Sequence, residues 1–181
     1  TMSRSNLVLI GMPGAGKSTI GVLLAKAMGC DFLDTDVVLQ AAHGKSLHEL
    51  IAQIGLEGFC KIEQAYLEGL NLRRTVIATG GSAVYYPLAM EYLRRQGIAV
   101  YLQVPLEILR ERVSDMAGRG VVIEPQQTLD SLYEKRIPLY ERYADITVEM
   151  TGLSHEQAVE KILRLLNNNL FGEDSCVTES E

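Results

Sequence analysis

The sequence predicts an α/β fold with a doubly wound, five-stranded parallel sheet, a phosphate-binding loop, flanking helices and a mobile lid. Five short, continuously apolar runs alternate with longer segments of helical periodicity. Continuous hydrophobicity is typical of strands that are buried on both faces of a parallel sheet. A glycine-rich segment lies between the first apolar run and the first helical segment, and a parallel α/β fold of this kind holds phosphate at such a turn.

The predicted strands and helices alternate along the chain. The strand-length runs are residues 6–10, 30–34, 75–79, 98–104 and 145–150. The helical stretches are 17–28, 37–42, 47–53, 56–72, 87–96, 106–114, 129–143 and a last one after Ser154. Strands separated by helices form βαβ units, so this order predicts a parallel sheet covered on both faces.

Two segments interrupt the alternation. Residues 115–128 contain two glycines and a proline and have weak periodicity. A loop of that length in a compact domain is often functional, so we expect it to form the lid. Residues 167–181 are polar and acidic, which predicts a disordered tail. We therefore expect one domain over residues 1–166.

Composition excludes several classes of protein. The net charge of -6 and the pI near 5.2 argue against a nucleic-acid interface, which needs clustered lysine and arginine. Cys30, Cys60 and Cys176 are widely spaced and form no CxxC pair, so neither a zinc site nor a disulfide framework is indicated. The apolar run at 6–10 is too short for a signal peptide or a membrane span. We expect a cytoplasmic monomer that binds no membrane.

The segment GMPGAGKST at residues 11–19 matches the phosphate-loop pattern GxxxxGK[ST], and it follows a strand and precedes a helix. Its glycines let backbone N–H groups converge on phosphate oxygens, and the helix N-terminus adds positive charge. Lys17 would reach the β- and γ-phosphates, and the Ser18 hydroxyl would bind Mg²⁺. The predicted nucleotide-binding residues of this loop are Gly11, Gly14, Ala15, Gly16, Lys17, Ser18 and Thr19.

A pair of carboxylates indicates what the nucleotide is used for. The chain has no NKxD segment for guanine and no LSGGQ-like segment, which weakens the GTPase and transporter-ATPase alternatives. Asp34 and Asp36 follow the second predicted strand. Because an open α/β sheet binds its ligands at the carboxyl ends of the strands, these side chains can serve Mg²⁺ and a substrate hydroxyl.

With these motifs in view, the sequence resembles the shikimate kinase family from about residue 6 to residue 166. The resemblance is carried by GMPGAGKST, the DTD at 34–36, the GF and IE positions at 58–63, TGGSAV at 79–84, the lid arginine Arg119 and KRIPLYERYAD at 135–145. It implies an ATP- and Mg²⁺-dependent kinase of amino-acid biosynthesis. It also implies a lid and a substrate-binding helical segment at about 36–72.

The resemblance implies a role for individual residues. Asp34 would hold the metal through water, and Asp36 would contact the substrate hydroxyl as the candidate base. Arg112 would lie against the adenine, and Arg119 would reach the phosphates from the lid. On the substrate side, Arg136 would bind the carboxylate, and Gly80 and Gly81 would offer backbone N–H groups. The catalytic residues would then be Lys17, Asp36 and Arg119.

The chain departs from the family's pattern in the substrate segment. The family has Phe-Arg-x-x-Glu, whereas here Cys60 stands between Phe59 and Lys61. Cys60 cannot replace a planar, bidentate cation, and Lys61 lies about 100° further around the helix. Losing such a contact costs about 1.5 to 3 kcal/mol, or roughly ten- to a hundredfold in affinity, unless another group such as Lys61 or Arg142 compensates. The family's third glycine is also replaced, by Ser82.

These departures leave the acceptor open. Shikimate, phosphorylated to shikimate 3-phosphate, is the best single interpretation. Glu63 would lack its arginine partner and could bind an ammonium group, which suggests an amino acid alcohol such as homoserine as an alternative. Phosphorylation of a nucleotide or sugar acid is another, and a nucleotide-binding regulator without turnover is a further alternative of a different class.

Overall fold

The computed structural model describes residues 4–114 and 127–171. Over these residues the strands are β1 (Asn6–Ile10), β2 (Asp31–Asp34), β3 (Thr75–Ala78), β4 (Gly97–Gln103) and β5 (Ile146–Glu149). They form one sheet in the order β2-β3-β1-β4-β5, and every neighbouring pair is parallel. The predicted doubly wound, five-stranded sheet is therefore confirmed. Because β2 and β3 lie on one side of β1 and β4 and β5 on the other, the sheet has a switch point beside β1, where ligands bind in such folds.

Helices cover both faces of the sheet. They are α1 (Lys17–Met28), α2 (Thr35–His43), α3 (Leu47–Glu68), α4 (Pro87–Gln96), α5 (Leu106–Ser114), α6 (Leu129–Tyr143) and α7 (His155–Phe171), with a 3₁₀ helix at Ala83–Tyr85. The predicted bounds of α1, α4, α5 and α6 are confirmed. The 3₁₀ helix was not predicted, because three residues are too few to show a period.

Helix α3 differs from the prediction of two helices at 47–53 and 56–72. It is one run with a kink at Gly55, where φ is 76° and ψ is 165°. The sequence therefore places the break correctly, but the chain resumes helical geometry at once instead of forming a loop. Ser46 caps the start of α3 because its hydroxyl accepts from the Glu49 N–H, and the Glu49 carboxylate in turn accepts from the Ser46 N–H.

Two groups of buried side chains stabilise this arrangement. The larger one lies between the sheet and its helices, and all five residues of β1 are buried. A smaller cluster consists of Leu39, Leu47, Leu50 and Phe59. It joins α2 to both halves of α3, so it fixes the helical segment that carries Cys60 and Glu63.

Two predicted segments, the lid and the tail, fall partly beyond the described residues. Most of the predicted lid, including Arg119, lies outside them, and the described chain resumes at Gln127. The predicted tail starts too early, because α7 continues to Phe171. The last turns of α7 are held by Ile162 and Leu166, which are buried. Within the described part of the chain, no helix has the length and apolar character needed to cross a membrane.

Candidate active site

The phosphate loop joins β1 to α1 and adopts a backbone that depends on glycine. Gly14 and Gly16 have φ values of 82° and 95°, which are strained for residues with a side chain. The Ala15 N–H donates to the Met12 carbonyl at 3.1 Å, so the loop is a closed turn. Helix α1 begins directly after Gly16, which turns its N-terminal N–H groups towards the mouth of the loop.

The Lys17 ammonium is buried inside this loop. Its Nζ donates to the Gly11 carbonyl at 2.7 Å and to the Met12 carbonyl at 2.9 Å. Burial lowers the pKa of Lys17 to about 8, with a further lowering from Arg136, while the charges of Asp36 and Asp34 oppose this. A lysine held in this way keeps its charge at neutral pH and is aimed at the place where the loop binds phosphate.

Asp34 links the phosphate loop to the substrate side of the site. The Ser18 hydroxyl donates to Asp34 Oδ2, and Asp34 Oδ1 accepts from the N–H groups of Asp36 and Val37 at 3.0 and 3.1 Å. Asp34 is thus both the N-cap of α2 and the neighbour of Ser18. The hydroxyl and carboxylate oxygens brought together here are the hard ligands that Mg²⁺ prefers.

Asp36 and Glu63 converge on the glycine turn that follows β3. A Cβ on Gly80 would lie 2.8 Å from Asp36 Oδ1 and 2.7 Å from Glu63 Oε1, so a larger residue there would displace both carboxylates. Burial raises the pKa of Asp36 to about 7, and the neighbouring carboxylates of Glu63 and Asp34 raise it further against the charge of Lys17. Asp36 is therefore poised to exchange a proton near neutral pH.

Glu63 is fully buried and is not the unpartnered acid that the sequence suggested. Its Oε2 accepts from the Ser82 and Tyr86 hydroxyls, both at 2.7 Å. Burial raises the pKa of Glu63, although these hydrogen bonds and the charge of Arg136 lower it. Oε1 has no hydrogen-bond partner among the described residues. Ser82 is also buried, so its side chain ties down Glu63 instead of lining open space.

Cys60 lies one helical turn before Glu63 and packs against the main core. Its thiol neighbours the Tyr86 hydroxyl and contributes to the raised pKa of that group. Neither proposed compensating cation replaces the missing arginine. Lys61 Nζ pairs with Glu57 Oε1 at 2.8 Å on the exposed side of α3, and Arg142 is exposed with its guanidinium over the Tyr143 ring.

Arg136 lies almost completely buried on α6, with 1% of its surface exposed. Its Nε donates to the Tyr85 hydroxyl at 3.0 Å, and its Nη1 lies 2.7 Å from the point that a Cβ on Gly81 would occupy. The Tyr140 hydroxyl donates to the Gly81 carbonyl at 2.7 Å. The guanidinium is therefore held against the same turn that receives Asp36 and Glu63.

The remaining predicted residues surround this centre. Arg112 on α5 is exposed, and its Nη1 donates to the Gly14 carbonyl at 2.9 Å, so it lies over the phosphate loop. Ser18 and Thr19 are exposed in the first turn of α1. The Gly80 N–H, expected to face substrate, donates to Thr35 Oγ1 at 3.3 Å.

Sequence reasoning missed the two tyrosines that follow the glycine turn. Tyr85 contacts Arg136 and Tyr86 contacts Glu63. Their position directly after TGGSAV was the available signal. That position alone predicts no role, because tyrosines in a short loop show no period and their partners lie on distant helices.

Comparison with known proteins identifies relatives over most of the chain. A family model described as Shikimate kinase matches residues 13–167. A shikimate kinase of Synechococcus sp. is 42% identical over 166 residues, which cover 90% of this chain and 84% of that relative. A shikimate kinase of Thermodesulfovibrio yellowstonii is 35% identical over 162 residues, covering 88% of this chain and 93% of the relative.

A solved structure shows the same similarity in three dimensions. A shikimate kinase from Acinetobacter baumannii, solved in complex with shikimate, superposes with a TM-score of 0.85 at 33% identity. The match covers 94% of this chain and 97% of that structure.

Proposed function

The chain belongs to the shikimate kinase family, and on that premise we propose that it transfers the γ-phosphate of ATP to a hydroxyl group of shikimate through Lys17, Asp36 and Arg119. Members of this family are ATP-dependent phosphotransferases that act on a hydroxyl. The product would be shikimate 3-phosphate, and the substrate is a small hydroxy acid.

One observation carries the assignment of residues. The glycine turn at Gly80 and Gly81 is contacted by Asp36 Oδ1 on one side and by Arg136 Nη1 on the other, and Asp36 interacts electrostatically with Lys17. A proton acceptor, a carboxylate-binding cation and a phosphate-binding cation therefore surround one space. Phosphoryl transfer to a hydroxy acid needs these three functions together.

The proposed chemistry is an in-line attack of the substrate hydroxyl oxygen on the γ-phosphorus. The bond from that phosphorus to the bridging oxygen breaks, and ADP leaves. Asp36 accepts the hydroxyl proton, and its pKa of about 7 suits a base that works near neutral pH. Lys17 exchanges its carbonyl partners for phosphate oxygens and balances their charge, and Arg119 is proposed to add a second positive charge.

The metal-binding residues are proposed from the donor atoms that the site brings together. Ser18 and Asp34 would hold Mg²⁺, Ser18 directly and Asp34 through water, and the bound ion would neutralise phosphate charge. The hydrogen bond between the Ser18 hydroxyl and Asp34 supports this pairing. Arg112 remains the proposed contact for adenine, supported by its position over Gly14.

The alternatives are less well supported. The relatives and the matching structure are shikimate kinases, which favours shikimate over homoserine, a sugar acid or a nucleotide, and an enzyme over a regulator. The argument for homoserine also required a bare Glu63 carboxylate, but Ser82 and Tyr86 already bind that group. The monomeric state and the cytoplasmic location stay predictions.

A coupled assay of ADP release tests the proposed function. Shikimate, homoserine, gluconate and nucleoside monophosphates would be compared at equal concentration with ATP and Mg²⁺. We expect shikimate to give the highest kcat/KM by at least about a hundredfold. Nucleoside monophosphates would leave the Arg136 cation without a carboxylate partner. Homoserine and gluconate carry a carboxylate, but their open chains lose more conformational freedom on binding than the ring of shikimate does. A preference for homoserine, or ADP release that no acceptor stimulates, would contradict the proposal.

A further inference from the structure

Tyr85 contacts the carboxylate-binding arginine in two ways. It ends the 3₁₀ helix Ala83–Tyr85 and is half-buried. Its hydroxyl accepts from Arg136 Nε at 3.0 Å, and Arg136 Cζ lies 5.1 Å from the centroid of its ring. The hydroxyl is therefore fixed beside the guanidinium, on the side of Arg136 that faces the residues after the glycine turn.

The Tyr85 hydroxyl can still donate one hydrogen bond. A tyrosine hydroxyl can accept and can also donate one hydrogen bond. In the described residues the Tyr85 hydroxyl accepts from Arg136 and donates to no protein group. Lys135 Nζ also lies 5.3 Å from the ring centroid. Two cationic side chains beside one donor create surroundings that favour an anion.

The segment where the family places a second carboxylate-binding group offers none here. Cys60 is a thiol that packs against the core beside Tyr86, and Lys61 points outward to Glu57. Tyr86 itself donates to Glu63. Of the two tyrosines after the glycine turn, only Tyr85 thus keeps its hydroxyl proton for a ligand beside Arg136.

We propose that Tyr85 is a specificity-determining residue whose hydroxyl donates to the substrate carboxylate that Arg136 binds, in place of the arginine absent from position 60. This inference rests on the proposed function, since it takes the acceptor to carry a carboxylate. The substrate carboxylate would then be bound by one cation, Arg136, and one neutral donor, Tyr85. The site would carry less positive charge than a site with two arginines and would still select for acids.

Tyr85→Phe tests the role of the hydroxyl while keeping the ring over Arg136. We expect the KM for shikimate to rise about ten- to a hundredfold, the range for losing one hydrogen bond to a charged group. We expect kcat to stay within about twofold and the KM for ATP to stay unchanged, because the lost contact forms equally in the ground and transition states. Tyr92→Phe on α4, whose hydroxyl forms no hydrogen bond in the described residues, is the matched control and should alter none of these constants. A shikimate KM that rises less than twofold in Tyr85→Phe would overturn the proposal.

A second variant tests whether the Tyr85 hydroxyl contacts the substrate carboxylate directly or acts only by positioning Arg136. Cys60→Arg should supply the missing cation, so adding Tyr85→Phe in that background should raise the KM for shikimate less than twofold. An equal rise in both backgrounds would show that the two positions do not serve the same carboxylate, and the proposal would fall.

If Cys60→Arg does not fold, a neutral substrate analogue tests the same contact between Tyr85 and the substrate carboxylate. The wild type should prefer shikimate over its methyl ester, and Tyr85→Phe should reduce that preference about as much as it raises the KM for shikimate. An unchanged preference overturns the role of Tyr85 alone. A wild type that does not phosphorylate shikimate overturns the proposed function as well, so the two failures are distinguishable.

Discussion

Asp36, beside the glycine turn, and Lys17, in the phosphate loop, interact electrostatically, and each alters the other's protonation. Burial raises the pKa of Asp36 to about 7 and lowers the pKa of Lys17 to about 8. Their mutual attraction opposes both shifts. Between about pH 7 and pH 8, the Asp36 carboxylate is ionised while the Lys17 ammonium keeps its proton. The proposed reaction requires this pair of protonation states.

The pH dependence of turnover should report Asp36. Asp36 must be deprotonated to accept the hydroxyl proton, so kcat/KM for shikimate should fall about tenfold per pH unit below about pH 7. Asp36→Asn should lower kcat by about a hundred- to a thousandfold, within the usual range for a general base, and should remove this acidic limb. Rate–pH profiles of the two proteins provide the measurement.

Glu63→Gln is the control for this assignment. The Glu63 carboxyl is among the causes that raise the pKa of Asp36, so its neutral replacement should move the acidic limb to lower pH. An acidic limb that persists in Asp36→Asn would mean that another group titrates, and Asp36 would not be the base.

Lys17→Ala should abolish measurable turnover. The variant removes the one charge inside the phosphate loop, and positioning with charge neutralisation supplies most of the catalysis in phosphoryl transfer. We expect kcat to drop by at least about a thousandfold in the coupled assay. Lys26→Ala, in the exposed last turn of the same helix, should keep wild-type activity. Substantial kinase activity in Lys17→Ala would contradict the role of the loop.

Residues that act through local geometry could be predicted from the sequence, and residues that act through packing could not. Lys17 and Ser18 are fixed by the loop they belong to, so their placement follows from contiguous residues. Ser82 and Tyr86 acquire their roles from Glu63, which is 19 residues from the first and 23 from the second. No periodicity or motif encodes such a pairing.

Among the elements, α3 depends on one glycine. Gly55 has φ 76° and ψ 165° inside a run that is otherwise helical, and only glycine adopts this region without strain. The kink separates the first half of α3, with Leu47 and Leu50, from the second half, with Phe59 and Glu63. It therefore sets the direction from which Glu63 enters the site.

Gly55→Ala should destabilise the protein by about 1 to 3 kcal/mol, the usual cost of a strained backbone. Helix propensity alone predicts the opposite sign, because alanine in a regular helix is more stable than glycine. The melting temperature should therefore fall by several degrees, measured by circular dichroism.

Gly58→Ala is the matched control for the kink. Gly58 lies in the helical part of α3, and a Cβ there would meet only the side chain of Ile54, at 3.3 Å for the nearest atom. Ile54 is 37% exposed and can shift, so this variant should change stability by less than about 1 kcal/mol. Equal losses in both variants would mean that Gly55 is not specially strained.

Most element boundaries could be predicted because the strands are continuous apolar runs and the helices are capped by recognisable residues. The bounds of α1 follow from Gly16 and Gly29, which flank it. The kink in α3 and the length of α7 were harder, because each depends on which faces pack. Ile162 and Leu166 show where α7 is held to the core only once its neighbours are known.

At the scale of the whole molecule, the two edges of the sheet hold carboxylates in opposite conditions. At the amino edge, Asp145 accepts from Arg4 Nη2 at 2.8 Å, from Arg94 Nη2 at 2.9 Å and from the Ala99 N–H at 2.9 Å. Burial alone would raise the pKa of Asp145, but these partners outweigh it and lower that pKa. At the carboxyl edge, the pKa of Asp36 is raised. At the amino edge, Asp145 thus links β5 to β4, to α4 and to the residues before β1. At the carboxyl edge, the carboxylates of Asp34, Asp36 and Glu63 lie close together.

The carboxylates at these two edges should therefore change the free energy of unfolding with pH in opposite directions. A raised folded-state pKa means that stability is lost as pH rises from the ordinary value of 3.8 to about 7, so Asp36→Asn should stabilise the protein by about 1 to 2 kcal/mol at pH 8 and match the wild type near pH 4. Losing a negative charge in the first turn of α2 offsets part of that gain.

The lowered pKa of Asp145 means that its contribution to stability is present at neutral pH and is lost on acidification. Asp145→Asn should therefore destabilise the protein by about 1 kcal/mol at pH 8 and progressively less below pH 4. Urea unfolding of the three proteins at about pH 3, 4, 6 and 8 measures both slopes. If Asp36→Asn destabilises the protein at pH 8, the carboxyl edge is not under electrostatic strain, and the ionised Asp36 that the proposed reaction needs carries no cost in stability.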